Sequence, residues 1–106
     1  MKTTSYKISK KLEEAGFSRQ PFWIWTSEQC CAPYQTNHDG FRSYDLETLL
    51  DALKQTGKRI MIVGKSDNWG INFNYEFNKY SKENESLADT AGRLLLLLHE
   101  KNLIKF

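Results

Sequence analysis

"ESLADTAGRLLLLLHEKNLI" occupies residues 85–104, and the five consecutive leucines at its centre govern how the rest of the chain must pack. On a helical wheel at about 100° per residue, Leu87, Ala91, Leu94 and Leu98 share one narrow arc, the face expected to meet a sheet. Ala88, Gly92, Leu95 and His99 form a neighbouring stripe of mostly small residues. Small residues let a second helix approach closely, which accounts for a mid-helix glycine despite its cost of about 1 kcal/mol. Leu97 lies on the other flank. Leu96 points the same way as Asp89, Arg93 and Glu100, toward the expected solvent side. Ser86, with Asp89 three residues on, opens the helix as a capping-box variant, and Asn102 followed by Leu103 closes it. The run therefore has two readings, a core element or a contact surface carried by Arg93, Leu96 and Leu97.

Two other segments carry helical periodicity. Ile8, Leu12 and Ala15 recur at i, i+4 and i+7 within a helix of about Ser5 to Ala15, stopped at Gly16 with Phe17 folding back on the last turn. In the second, Asp45 caps a helix whose buried face is Leu46, Leu49, Leu50 and Leu53, with Tyr44 and Leu49 forming a staple and Gly57 as the stop. Between the helices the pattern changes to period two. In "FWIWTSE" Phe22, Ile24 and Thr26 alternate with Trp23 and Trp25, a strand apolar on both faces and so expected to be central. A short strand around Ala32 to Thr36, then a turn at Asn37 to Gly40, is expected next. "RIMIVG" reads as a strand over Arg59 to Val63. "WGINFNYEF" reads as one further strand, with Ile71, Phe73, Tyr75 and Phe77 on its dry face, and "NKYSKENE" as a polar connector. The expected fold is α+β: an antiparallel sheet of three to four strands with three helices mainly packed on one face, in a single domain over residues 1–106.

Composition limits the function classes. The 106 residues are 40% hydrophobic and 26% charged, which is globular rather than disordered. Fifteen basic against 13 acidic residues give a net charge of +2, without the clustered basic excess of a committed nucleic-acid binder. The leucine run, even with Ala88 and Ala91, falls short of the ~20 apolar residues that span a bilayer. "MKTTSYKISKKLEE" has no apolar signal-peptide core. The expectation is a cytoplasmic protein with no membrane partner.

No catalytic motif stands up. "VGKSD" (residues 63–67) contains Gly-Lys-Ser, but Arg59 stands where a phosphate-binding loop has its first glycine, and no helix follows. Cys30, Cys31 and His38 are too few and too closely spaced for a zinc site, so no metal and no cofactor are expected. A reactive cysteine served by His38 is the enzymatic alternative. A second alternative is a single-stranded nucleic-acid binder. It would stack bases on Trp23, Trp25 and Trp69 and meet phosphates with Lys58, Arg59 and Lys65. The competing explanation is that strand aromatics fill the core.

Taken in order, "KISKKLEEAGF", "PFWIW", "YDLETLLDALKQTG" and "ESLADTAGRLLLLLHEKNLI" resemble a group of small proteins of unknown function encoded by bacterial phages and prophages. The resemblance covers most of the chain, but its pieces are packing and capping signatures. It implies a mobile-element accessory protein in a bacterial cytoplasm and assigns no catalytic residue. The Cys30-Cys31 region and "NHDGF" stand outside the shared pattern. The functional expectation is a non-enzymatic module that binds a protein partner or a second copy of itself as a homodimer, through Arg93, Leu96 and Leu97.

Overall fold

The computed structural model describes residues 3–35, 39–64 and 66–106. Within them the order is α1 (Tyr6–Glu14), β1 (Trp23–Ser27), β2 (Cys30–Pro33), β3 (Phe41–Ser43), α2 (Leu46–Lys54), β4 (Ile60–Gly64), β5 (Trp69–Phe73), β6 (Phe77–Tyr80) and α3 (Leu87–Glu100). The strands form two antiparallel three-stranded sheets, β2-β1-β3 and β4-β5-β6. The class is α+β, and each sheet has three strands. His38, Lys65 and the Asn37 start of the expected turn lie outside the described residues.

The helix boundaries follow from their caps. Ser5 accepts the Ile8 N–H at the start of α1, and Asp45 accepts the Thr48 N–H at 2.8 Å at the start of α2. Gly16 takes a φ of 93°, so the Phe17 N–H returns to the Leu12 carbonyl at 2.9 Å and seats the Phe17 ring in the core. Asn102, with a φ of 59°, does the same for α3, and the Leu103 N–H reaches the Leu98 carbonyl at 2.9 Å. At the α3 N-terminus Ser86 accepts the Asp89 N–H as expected. The Asp89 carboxylate does not close the box. It accepts the Ser5 N–H at 2.7 Å, joining the start of α3 to the start of α1.

β1 is the central strand of its sheet, with Trp23, Ile24 and Trp25 paired on both sides. In the second sheet the expectation of one strand through Phe77 is corrected. β5 ends at Phe73, and Asn74 and Tyr75 take φ values of 54° and 62°, so the chain reverses and Phe77 pairs back with Phe73. The apolar alternation runs unbroken through this turn and conceals it. The segment expected as a polar connector accordingly begins with β6.

α3 packs between α1 and α2 and lays its remaining face on β5 and β6. Leu94, Leu95 and Leu98 are fully buried with Leu12, Leu49 and Leu53, next to Ile71 and Phe73 of β5. The small-residue stripe meets another helix as expected, and that helix is α1. A Cβ built on Gly92 would lie 2.6 Å from Ile8 Cγ2, so only hydrogen leaves room for the helix there.

Candidate protein-interaction surface

The second sheet ends in an unusually bare strand. β4, "IMIVG", contains no charged residue and stands at the edge of its sheet. Its hydrogen-bonding pattern is set by the turn below it, where the Asn74 N–H donates to the Arg59 carbonyl at 2.7 Å. Pairing alternates in an antiparallel ladder. Arg59, Met61 and Val63 therefore direct their backbone groups toward β5, and Ile60, Ile62 and Gly64 direct theirs to the free edge. Ile62 is 41% exposed, Val63 39% and Trp69 51%. Trp69 lies opposite Gly64 in the register, with its ring across that glycine, so Trp69 and Ile62 share one face of the sheet. Val63 lies on the other face in a row with Gly70 and Tyr80. The apolar surface thus wraps the end of the edge.

Beside this edge, between α2 and β4, runs an open groove of about 490 Å³ lined by Leu50, Lys54, Lys58, Ile60 and Ile62. Its walls are apolar and its charges are both cationic. Arg59 turns to the opposite side, where its guanidinium bonds the Tyr75 hydroxyl and sits 4.8 Å from the centre of that ring.

The three residues expected as a contact surface on the last helix sit in a second groove, between α1, α3 and β6. Leu96 and Leu97 are half-buried on its floor, and Lys11, Lys79, Lys82 and Arg93 are among its walls. Leu96 packs against the core cluster and does not stand out into solvent. The reason is β6, unforeseen in the sequence, which lies along the flank that Leu96 shares with Arg93. Arg93 itself is occupied. It grips Glu85 through Nε at 2.8 Å and Nη2 at 2.6 Å, and donates to the Tyr80 carbonyl at 2.7 Å. Burial works to raise the Glu85 carboxyl. Donors from Arg93, the Lys82 N–H and Thr90 outweigh it and hold the group below its ordinary value.

The aromatic and basic residues of the nucleic-acid alternative are divided between the two sheets. Trp23 and Trp25 are half-buried on β1, where the Trp25 indole N–H donates to the Thr4 carbonyl at 3.0 Å and its ring meets Tyr6 edge-on. Trp69, Lys58 and Arg59 belong to the second sheet and its approach, so the set does not form one stacking surface. Cys30 is exposed and Cys31 half-buried on β2. Burial pushes the Cys31 thiol up, the Ser43 hydroxyl partly offsets this, and the neighbouring Cys30 adds to it. A raised thiol is a poorer nucleophile at neutral pH. Among the described residues no group of three or more His, Cys, Asp and Glu is arranged to hold a metal ion, and no helix is long and apolar enough to cross a membrane.

Comparison with protein-family models, with curated proteins and with solved structures finds no match. The surface must therefore be read from its own chemistry. The β4 edge was missed in the sequence because "RIMIVG" has the composition of an interior strand. The one signal available was that Ile62 and Val63, on opposite faces, cannot both be buried when helices cover one side.

Proposed function

We propose that this chain is a non-enzymatic protein-interaction module whose contact surface is the β4 edge with Ile62, Val63 and Trp69. The observation that carries the reading is an uncharged, apolar edge strand whose outward backbone groups, at Ile60, Ile62 and Gly64, have no partner among the described residues. Folded proteins ordinarily blunt such an edge with charge, proline or a covering element, because it is a template for another chain. Exposed apolar surface of this kind marks interaction sites. The groove holding Leu96 and Leu97 is a secondary contact region in this reading, since its leucines are already half-covered and Arg93 is committed to Glu85. A role as an accessory protein of a phage or other mobile element rests on the sequence resemblance alone.

The test is site-specific photo-crosslinking in the native cells, with the photoreactive residue at Trp69 and, as a control, at Lys10 on the exposed side of α1. A discrete protein adduct is expected at position 69 and not at 10. A nuclease-sensitive adduct at 69 would replace this reading with nucleic-acid binding, and equal adducts at both positions would remove its support.

A further inference from the structure

We infer that the β4 edge receives an extended, acidic segment of another protein as a fourth strand of the β4-β5-β6 sheet. This deepens the protein-binding reading above and rests on it. The backbone supplies the first part of the argument. Ile60, Ile62 and Gly64 point their N–H and C=O groups to the free side, and among the described residues none of these groups has a partner. They recur every second residue along a strand of five, about 17 Å, which is the repeat that an added strand needs. Strand addition takes its affinity from such main-chain bonds and its specificity from pockets for alternate side chains.

The groove supplies the second part. A strand laid along β4 sends alternate side chains toward α2, into the space lined by Leu50, Ile60 and Ile62. An apolar side chain fits its centre. Lys54 and Lys58 stand in the same wall. Neither takes part in an ion pair among the described residues, and no acidic residue lines the groove. Carboxylates flanking the apolar position satisfy both lysines. A second copy of this chain is the weaker occupant, because its own β4 brings no carboxylate and would leave both lysines unpaired.

The probe is a peptide carrying fluorescein on its N-terminal amine, fluorescein-Asp-Glu-Val-Ile-Val-Glu-Asp-amide, with a counterpart in which every acid is lysine, titrated by anisotropy against the full chain. The acidic peptide is expected to bind at least tenfold more tightly than the basic one, with an affinity that falls as salt rises. Ile62→Pro removes an edge donor that β5 does not use, so β4 can stay paired while the added strand loses a bond. Binding should fall by tenfold or more. Lys54→Glu with Lys58→Glu changes only exposed side chains and should reverse the peptide preference. Circular dichroism and amide exchange of β5 establish that each variant is folded. Equal binding of both peptides, or none at millimolar concentration, overturns the inference. So does a native chain that doubles its molar mass with concentration and is made monomeric by Ile62→Pro, since the edge would then hold a second copy. In either case a protein adduct at Trp69 would still leave the broader protein-binding reading standing.

Discussion

Gly92→Ala tests the packing of the two terminal helices directly. In an isolated helix this change stabilises by about 1 kcal/mol, because alanine loses less backbone freedom. Here the new methyl would sit 2.6 Å from Ile8 Cγ2 and 3.6 Å from Leu12 Cδ1 and Thr4 Cγ2. Carbon atoms rest at about 3.5–4.0 Å, so α1 must retreat by about 1 Å or Ile8 must leave its rotamer. Ile8 is 6% exposed and Leu12 0%, which leaves neither side chain free space to enter. Overpacking of this kind costs about 1–3 kcal/mol, and the confinement of Ile8 places it high in that range. The net expectation is a loss of about 1–2 kcal/mol. In urea unfolding the midpoint should fall by about 1 M, and the thermal midpoint by roughly 5–10 °C. Ile8→Ala removes the opposing methyl, so in that background Gly92→Ala should stabilise by about 1 kcal/mol, a coupling of about 2–3 kcal/mol. If Gly92→Ala stabilises the native chain as it would a free helix, with no coupling to Ile8, then α1 does not rest on the small-residue stripe.

Arg93→Met should destabilise by about 1.5–3 kcal/mol, because it strands a Glu85 side chain that is only 11% exposed. Adding Glu85→Gln should recover much of that loss in urea unfolding; no recovery would mean the pair is not the cause. Glu85 is lowered from an ordinary value of 4.5, so its stabilisation is present above that pH and is lost as pH falls through the lower folded value. Unfolding curves between pH 3 and 7 should show this loss in the native chain and not in Arg93→Met. Asp89 carries the opposite sign. Burial raises it from 3.8, against the opposing hydrogen bonds from Ser5, so its contribution is present below that value and is lost as pH rises through the higher folded one. Asp89→Asn keeps an acceptor for the Ser5 N–H without the buried charge and should match or exceed the native stability at pH 7, whereas Asp89→Ala should lose about 1–2 kcal/mol. Equal losses in both variants would show that the charge itself is needed. Cys31 should alkylate more slowly than an ordinary thiol at pH 7.5, followed by mass spectrometry; fast reaction at that position would restore the thiol-enzyme alternative.

The helices were legible in the sequence because their signals are local. Ser5, Asp45 and Ser86 each bond within three residues, and Gly16 and Asn102 act on the turn just before them. That a helix packs on Gly92 was legible too, since a costly mid-helix glycine needs a close neighbour, but that this helix is α1 was not. Strand β3 (Phe41–Ser43) was not foreseen, and two features tied to the candidate surface escaped because no distinctive residue marks them. The turn at Asn74 and Tyr75 lacks glycine, and its flanking residues keep the two-residue alternation that a straight strand would show. The candidate surface escaped for a related reason. A strand's composition records that it is apolar, but whether it stands in the middle or at the edge is set by which strands pair, here β5 with both β4 and β6. The exposure of Ile62 and Val63 follows from that pairing and from α3 covering β5 and β6.

The hydrogen bond from Ser5 to Asp89 spans 84 positions. At about 5–20 residues per second, Ser5 leaves the ribosome roughly 4–17 s before Asp89, which accepts its N–H. Through that interval Ile8 and Leu12 lack the α3 surface that will cover them, and Gly92, against which Ile8 packs, has not been made. Docking of the first helix thus waits for α3, and a nascent chain halted before Leu87 presents an apolar stripe to chaperones and proteases.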